Sequence, residues 1–199
     1  AEFVQGAYGG RSLEKVAVLT GMTTSPAVWQ LLGRVREAGG QVHVWEPVCR
    51  RNELAGTELA FGGPARPQLD LSQAEVIVDF EANLLQDHPT ALRNSRQFVT
   101  ARDPEGGYES RLYVYESSYT CTGAAADHRF VTEAGQIEAA AWALAAELVL
   151  GEGLPLPVGA GIDRTQLARW RGHAAGSPHV TAVARDLLAR RGHGLLVAG

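Results

Sequence analysis

Only two cysteines occur in the 199 residues, Cys49 and Cys121. They lie far apart, with no CxxC and no Cys/His ligand spacing, so the segment carries no zinc or iron–sulfur ligand motif of its own. Both read as unpaired thiols near strand ends. Basic residues are outnumbered, 18 Lys and Arg against 22 Asp and Glu, for a formal net charge of -4. A nucleic-acid binder usually presents a basic face, so this balance argues against such a partner. No apolar run reaches the roughly 18 residues of a membrane-spanning helix. No basic stretch followed by an apolar one marks a signal peptide at the start. Signatures of catalysis are also missing. There is no GxSxG elbow and no HExxH, and the first strand leads into TGMTTSP where a dinucleotide site would have GxGxxG.

What is present is ordinary for a soluble globular chain, with 45% hydrophobic and 20% charged residues and enough length for one sizeable core. Both ends read as cut. The chain opens on AEFVQGAYGG without an initiator methionine and closes on HGLLVAG, which reads as a strand just beginning. The expectation is therefore an excised domain.

Strand-like and helix-like patterns alternate. KVAVLT is a strand, and Ser25 offers an N-cap with Pro26 at the first helical position of AVWQLLGRVREAG. QVHVWEPV, EVIVDFE and RLYVYES read as further strands, with helices RRNELAGTELAFG and HPTALRNSRQFVTARD between them. GQIEAAAWALAAELVLG is the strongest helical pattern. This spacing predicts an α/β fold over 1–152, a Rossmann-like, doubly wound, mainly parallel sheet with helices on both faces. GIDRTQLARWRGH and SPHVTAVARDLLARRG predict a C-terminal helical extension over 153–199, leading through GLLVAG into a strand of the same or an adjoining sheet.

Ligands of open α/β sheets bind at the carboxyl ends of the strands. Those ends here carry TGMTTS, EPVCRRN, FEANLLQDH and ESSYTCTG. Thr23, Thr24 and Ser25 fit either an anion at a helix N-terminus or a plain N-cap. Cys121, Asp127 and His128 hold the letters of a thiol-hydrolase site, but adjacent Asp127 and His128 point apart, which disfavours nucleophilic catalysis. His43, His88, His173, His179 and His193 share no metal-ligand spacing; His43 reads as a partly covered strand residue and the others as solvated or capping.

The order of motifs carries more. EVIVDFEANLLQDHPTALRNSRQF, then SRLYVYESSYTCTGAAADHRF, then a long helix, resembles the molybdopterin oxidoreductase family. Its members have a strand followed by a GxNPxxxHP-like turn, and further on a strand ending in an acidic residue, a Thr-rich turn and an Ala-Asp-His-like segment. This sequence keeps Asn83, His88 and Pro89 in the first turn, and Glu116, Thr122, Ala126, Asp127 and His128 in the second. LTGMTTSPAVWQLLGRV, WEPVCRRNELAG and the tail DLLARRGHGLLVAG are similar to one branch, the iron–sulfur and molybdopterin-like subunit of alternative complex III, a quinol-oxidising membrane complex. The resemblance covers nearly the whole chain.

In active members of that family this region holds the guanosine end of molybdopterin guanine dinucleotide. The resemblance implies that Glu116 accepts hydrogen bonds from a guanine or ribose, that Thr122 and Asp127 shape the same pocket, and that Asn83 lines the facing turn. Thr23, beside the first helix, joins them as an anion-holding hydroxyl. The departures matter equally. Phe80-Glu81-Ala82 and Leu84 stand where the family turn has its first glycine and its proline, and YESSYTCTG lacks the arginine that often follows the acidic residue. Bulk at those positions crowds a nucleotide or changes the turn. The complex III-like branch is held to have lost molybdenum and kept the fold. The resemblance thus implies a degenerate domain with no reaction of its own and no cofactor in this segment, iron–sulfur clusters lying elsewhere in the parent. Its partners would be other parent domains and subunits of a membrane respiratory complex, on the periplasmic face. Two rivals stand beside it: the cofactor-binding domain of an active molybdopterin oxidoreductase, and an unrelated small-molecule-binding α/β domain.

Overall fold

A computed structural model describes residues 12–199 apart from 48, 107–109, 157–160 and 175–177, and apart from the side chains of 173, 174 and 178. The chain divides into two compact units, residues 1–50 and 51–199. The opening stretch 1–10, part of GEGLPLPVG and the His173 side chain lie outside the described residues.

The first unit is one βαβ turn. Strand β1 (Ala17–Thr20) pairs in parallel with β2 (Gln41–Val44), in the register Ala17↔Gln41 to Thr20↔Val44, and helix α1 (Pro26–Glu37) makes the crossover. Ser25 caps α1 by accepting the Val28 N–H, with proline in the first turn as its fixed φ favours. The helix stops at Gly39, whose φ of 89 is left-handed. Leu32 is the buried hydrophobic residue of this unit among those described.

The second unit carries the sheet that matters for function. Helix α2 (Arg51–Phe61) comes first, then β3 (Val76–Phe80), α3 (Ala91–Thr100), β4 (Arg111–Glu116), the one-turn helix α4 (Cys121–Ala124) and β5 (His128–Val131). Helix α5 (Ile137–Ala146) runs into a π-helical turn at Glu147–Gly151, and α6 (Arg164–Ala174), α7 (Pro178–Ala189) and β6 (Gly194–Ala198) complete the chain. All strand pairs are parallel, and the order is β5-β4-β3-β6. The chain steps outward from β3 to β4 to β5, then crosses through α5, α6 and α7 to the other side of β3. That reversal makes the carboxyl ends of β3 and β6 a topological switch point.

Sequence explains why β3 lies inside. VIVDF is a near-continuous apolar run, the mark of a parallel strand buried on both faces, and all five residues are buried. Val76, Val78 and Phe80, with Tyr113 and Tyr115 of β4, pack against Leu144 of α5 and Val180, Val183 and Leu187 of α7. Ile77, Leu112 and Val114 point the other way, onto Leu71, Leu84 and Phe98. Each such side chain contributes about 1.5–3 kcal/mol when taken from water. A third cluster, Ala146, Val149 and Leu167, joins α5 to α6. The fold is α/β with parallel sheets flanked by helices, as the alternation predicts. The expected division at 152/153 falls inside the second unit, where α7 supplies core residues and β6 hydrogen-bonds to β3.

Candidate functional site

The carboxyl ends of β3 and β4 are built from side chains that fold their own loops. Asp79, one residue before the end of β3, is fully buried and accepts the N–H groups of Ala82 (2.6 Å) and Leu84 (3.1 Å). Burial pushes its carboxyl above the ordinary range, opposed by those backbone N–H groups. The turn so pinned is left-handed at two non-glycine residues, Glu81 (φ 55) and Asn83 (φ 50). Asparagine tolerates that region; glutamate does so only where its surroundings hold it. They do: the Glu81 N–H donates to the Tyr115 carbonyl at 2.9 Å, and its Oε1 accepts both the N–H and the hydroxyl of Ser117.

Asn83 and Thr122, nominated on separate motifs, meet here. The Thr122 hydroxyl donates to Asn83 Oδ1 at 2.8 Å and accepts the Leu85 N–H at 3.0 Å, and Thr122 is fully buried. Asn83 Nδ2 donates to Asp87 Oδ2 at 2.5 Å. Gln86 Oε1 accepts the Cys121 N–H at 3.1 Å, a second strut between the β3 turn and α4.

Glu116 ends β4 and is 2% exposed. Its Oε2 accepts the Thr120 hydroxyl at 2.6 Å, while Oε1 receives Arg129 Nε and the Thr120 N–H. The carboxylate presses on Gly123 so closely that a Cβ there would lie 1.9 Å from Oε1, so a side chain at 123 would have to displace the Glu116 carboxylate.

Asp127 does not join this group. α4 carries the chain back beneath the sheet, and β5 restarts beside the beginning of β4, so Asp127 lies at the amino end of the strands. That is roughly 15 Å from the carboxyl ends for strands of this length. This corrects the expectation that Asp127 and Thr122 shape one pocket. Asp127 takes both Arg102 Nη atoms at 2.7 Å and the Leu112 N–H at 2.8 Å. Partial burial pushes its carboxyl up, and the hydrogen bonds and charge of Arg102 with the Leu112 N–H outweigh it, leaving it below the ordinary range. The same topology separates Cys121, at the carboxyl end, from His128, the first residue of β5. His128 stacks on the Tyr113 ring, centroids 5.0 Å apart.

Thr23 belongs to the first unit, where its hydroxyl accepts the Ser25 N–H at 3.2 Å and its carbonyl accepts Trp29 Nε1–H at 2.8 Å. His88 is buried, and its Nδ1 accepts the Thr90 N–H at 3.2 Å. His43 is exposed beside Gln41, and His193 sits by the Gln73 carbonyl. Among the described residues no group of three or more His, Cys, Asp or Glu is placed to hold a metal. No described helix is long and apolar enough to cross a membrane.

Cavities lined by described residues lie beside the sheet. One of about 240 Å³ lies at the amino end, lined by Glu75, Arg102, Ser110, Arg111, Asp127 and Arg190. Another, an open groove of about 350 Å³ beside β6, is mainly apolar and includes Phe61, Leu69, His88 and Leu196. Neither is lined by Asn83, Glu116 or Thr122. A nucleotide cradle needs free donors and acceptors, and these three residues are occupied with one another and with their loops. The switch point is also narrow: a Cβ on Gly199 would lie 2.3 Å from the Glu81 carbonyl oxygen. The described residues do not fit the guanosine end of a pterin dinucleotide in this arrangement.

Asp79, Glu81, Gln86 and Arg129 were not legible as partners in the sequence. The one available signal was Asp79, a charge inside an apolar run at a strand end. No protein-family model matches the chain, and no curated protein matches it.

Proposed function

We propose that this chain is a structural α/β domain, a degenerate molybdopterin-oxidoreductase-like scaffold of a respiratory electron-transfer subunit of the quinol-oxidising type, with no reaction of its own. One observation carries the reading. The polar residues that the resemblance assigns to guanosine hold their own loops instead: Thr122 on Asn83 and Leu85, and Glu116 on Thr120 and Arg129. Charge supports it too. Asp79, Glu81, Asp87 and Glu116 gather at this end, with Arg129 as the cation hydrogen-bonded among them, an unfavourable field for a phosphate ligand. Its partners are then other domains of a parent protein and subunits of a membrane complex, with iron–sulfur clusters carried elsewhere.

The switch point between β3 and β6 favours a second reading, a domain that still binds the guanosine end of the pterin cofactor. Metal and pterin analysis of the intact parent protein, purified from its membrane, separates the two. The scaffold reading expects iron without molybdenum, tungsten or pterin. Stoichiometric metal with pterin overturns it and makes Glu116 and Thr122 cofactor contacts. On the chain itself, the scaffold reading expects millimolar guanosine diphosphate to leave the melting temperature unchanged.

A further inference from the structure

Loops converge at the amino ends of β3, β4, β5 and β6, and the cavity of about 240 Å³ among them is lined by residues of the second unit. Ser110, the residue before β4, lines it and is 3% exposed, and its hydroxyl has no hydrogen-bond partner among the described residues. A buried hydroxyl without a partner is costly, and an oxygen held in the cavity would satisfy it. Beside Ser110, two guanidiniums converge on one carboxylate. Asp186 accepts Arg111 Nη1 at 2.8 Å on one oxygen and Arg190 Nη1 at 2.6 Å on the other. Asp186 is thus engaged on both oxygens, as Asp127 is by Arg102 and the Leu112 N–H. A guanidinium has five N–H donors, so Arg111 and Arg190 each keep donors beyond the one given to Asp186. Glu75 is held more loosely, 3.4 Å from Arg190 Nε and 4.0 Å from His193 Nδ1.

We propose that this cavity is a site for a small oxoanion that carries its own hydroxyl, hydrogen phosphate being the simplest. The anion's oxygens accept from Arg111, Arg190 and Ser110, and its O–H donates to Glu75. A carboxylate repels an anion that has no proton to share. Glu75 therefore selects hydrogen phosphate over sulfate, which has the same shape and no hydroxyl at neutral pH. Arg102, Arg111 and Arg190 are balanced by Glu75, Asp127 and Asp186, so binding draws on directed donors and not on net charge. The expected affinity is weak, at about 1 mM. The volume falls below the roughly 300–1,000 Å³ of most ligand pockets, which suits an ion and not a nucleotide. This end of the strands is opposite the acidic one that Asp79 and Glu116 occupy.

Isothermal titration calorimetry of the full chain at pH 7 tests this, with sodium phosphate against sodium sulfate at equal ionic strength. Both anions strengthen folding generally, so the sulfate arm removes that effect. The expected result is saturable one-site binding of phosphate and none of sulfate. Ser110→Ala should weaken phosphate binding about tenfold, while its ligand-free melting temperature stays the same or rises, because the orphan hydroxyl is gone. A merely structural Ser110 would not move the affinity. Glu75→Gln, whose amide can donate, should admit sulfate. Absence of saturable phosphate binding overturns the proposal. Equal binding of both anions by the wild type marks an adventitious ion only and overturns it as well. Phosphate binding unchanged in Ser110→Ala, or sulfate still refused by Glu75→Gln, places the ion elsewhere and overturns it too.

Discussion

Thr122 concentrates the argument at the scale of single residues. Its hydroxyl is the one atom that joins α4 to the β3 turn in both directions, donating to Asn83 and accepting from Leu85. Thr122→Val keeps the shape and leaves the partly buried Leu85 N–H and Asn83 amide oxygen without their partner. Urea denaturation should show a loss of about 1–3 kcal/mol, while Thr122→Ser should recover most of it. The opposite sign is expected one strand inward. The Tyr115 hydroxyl is buried and has no hydrogen-bond partner among the described residues, and burial pushes its phenol well above the ordinary range. Tyr115→Phe removes that orphan while keeping the stacking on Phe80 and Phe130, so it should be neutral or stabilising by up to about 1 kcal/mol. Some of this site was legible. Asn83 and Thr122 were nominated from separate motifs and do meet. Glu81 was not legible, because nothing in a glutamate announces a left-handed backbone; only the glycine it displaces in the family pattern hinted at it. Asp127 was misplaced because a motif gives order along the chain and not the end of the sheet at which a residue emerges.

At the scale of elements, segments with an apolar or alternating run are legible in kind, the four-residue β1 and β2 among them, and two elements inside the polar stretch after β4 are not. VIVDF and RLYVYE declare themselves by continuous apolar or aromatic content. HRFV and CTGA carry no apolar run of their own and sit among Ser, Thr, Gly and Ala, so nothing in the sequence separates β5 and α4 from the connection between RLYVYES and the long helix. The apolar pattern of α5 runs on without interruption, which hid its change to a π turn at Glu147–Gly151. Helix α7 offers a test of docking. His179, in its first turn, stacks on Phe130 with centroids 4.4 Å apart, and burial holds its pKa below the ordinary value. The folded chain thus favours neutral His179, while the unfolded chain takes up a proton near pH 6.5. This contribution to stability is intact above about pH 6.5 and is lost as pH falls toward the folded value. His179→Phe keeps a stacking ring without the titration. Its melting temperature should fall less than that of the wild type between pH 7 and pH 5. Asp127 has the same sense in a lower window. Its depressed carboxyl supports the fold above about pH 4 and loses that support as pH falls through the folded value, so the gap between wild type and Asp127→Asn should narrow on acidification.

For the whole molecule, the division into units has a direct consequence for autonomy. Residues 51–199 hold the four-stranded sheet and all three buried clusters. The described residues of 12–50 include one buried hydrophobic side chain, Leu32, and a two-stranded sheet, too little for independent stability. Expressed alone, 51–199 should melt cooperatively by calorimetry, and the shorter piece should show no transition. A non-cooperative 51–199 would mean that the core needs the first unit. The α/β class and the parallel pairing were legible because they follow from alternation. The switch in strand order was not, because it depends on which side of β3 the last strand takes.

That switch also sets an order of events in time. Val76 faces Arg111 on one side and Gly194 on the other. Closing the second loop spans roughly three times more chain than the first, which costs about 1 kcal/mol more in closure entropy. During synthesis β3, β4 and β5 can associate early, but β3, apolar at four of its five residues, keeps one flank unpaired until β6 has left the ribosome. The nascent domain therefore passes through a stage with a sticky inner strand exposed, and the speed of the last crossover, through α5 to α7, decides how long that exposure lasts.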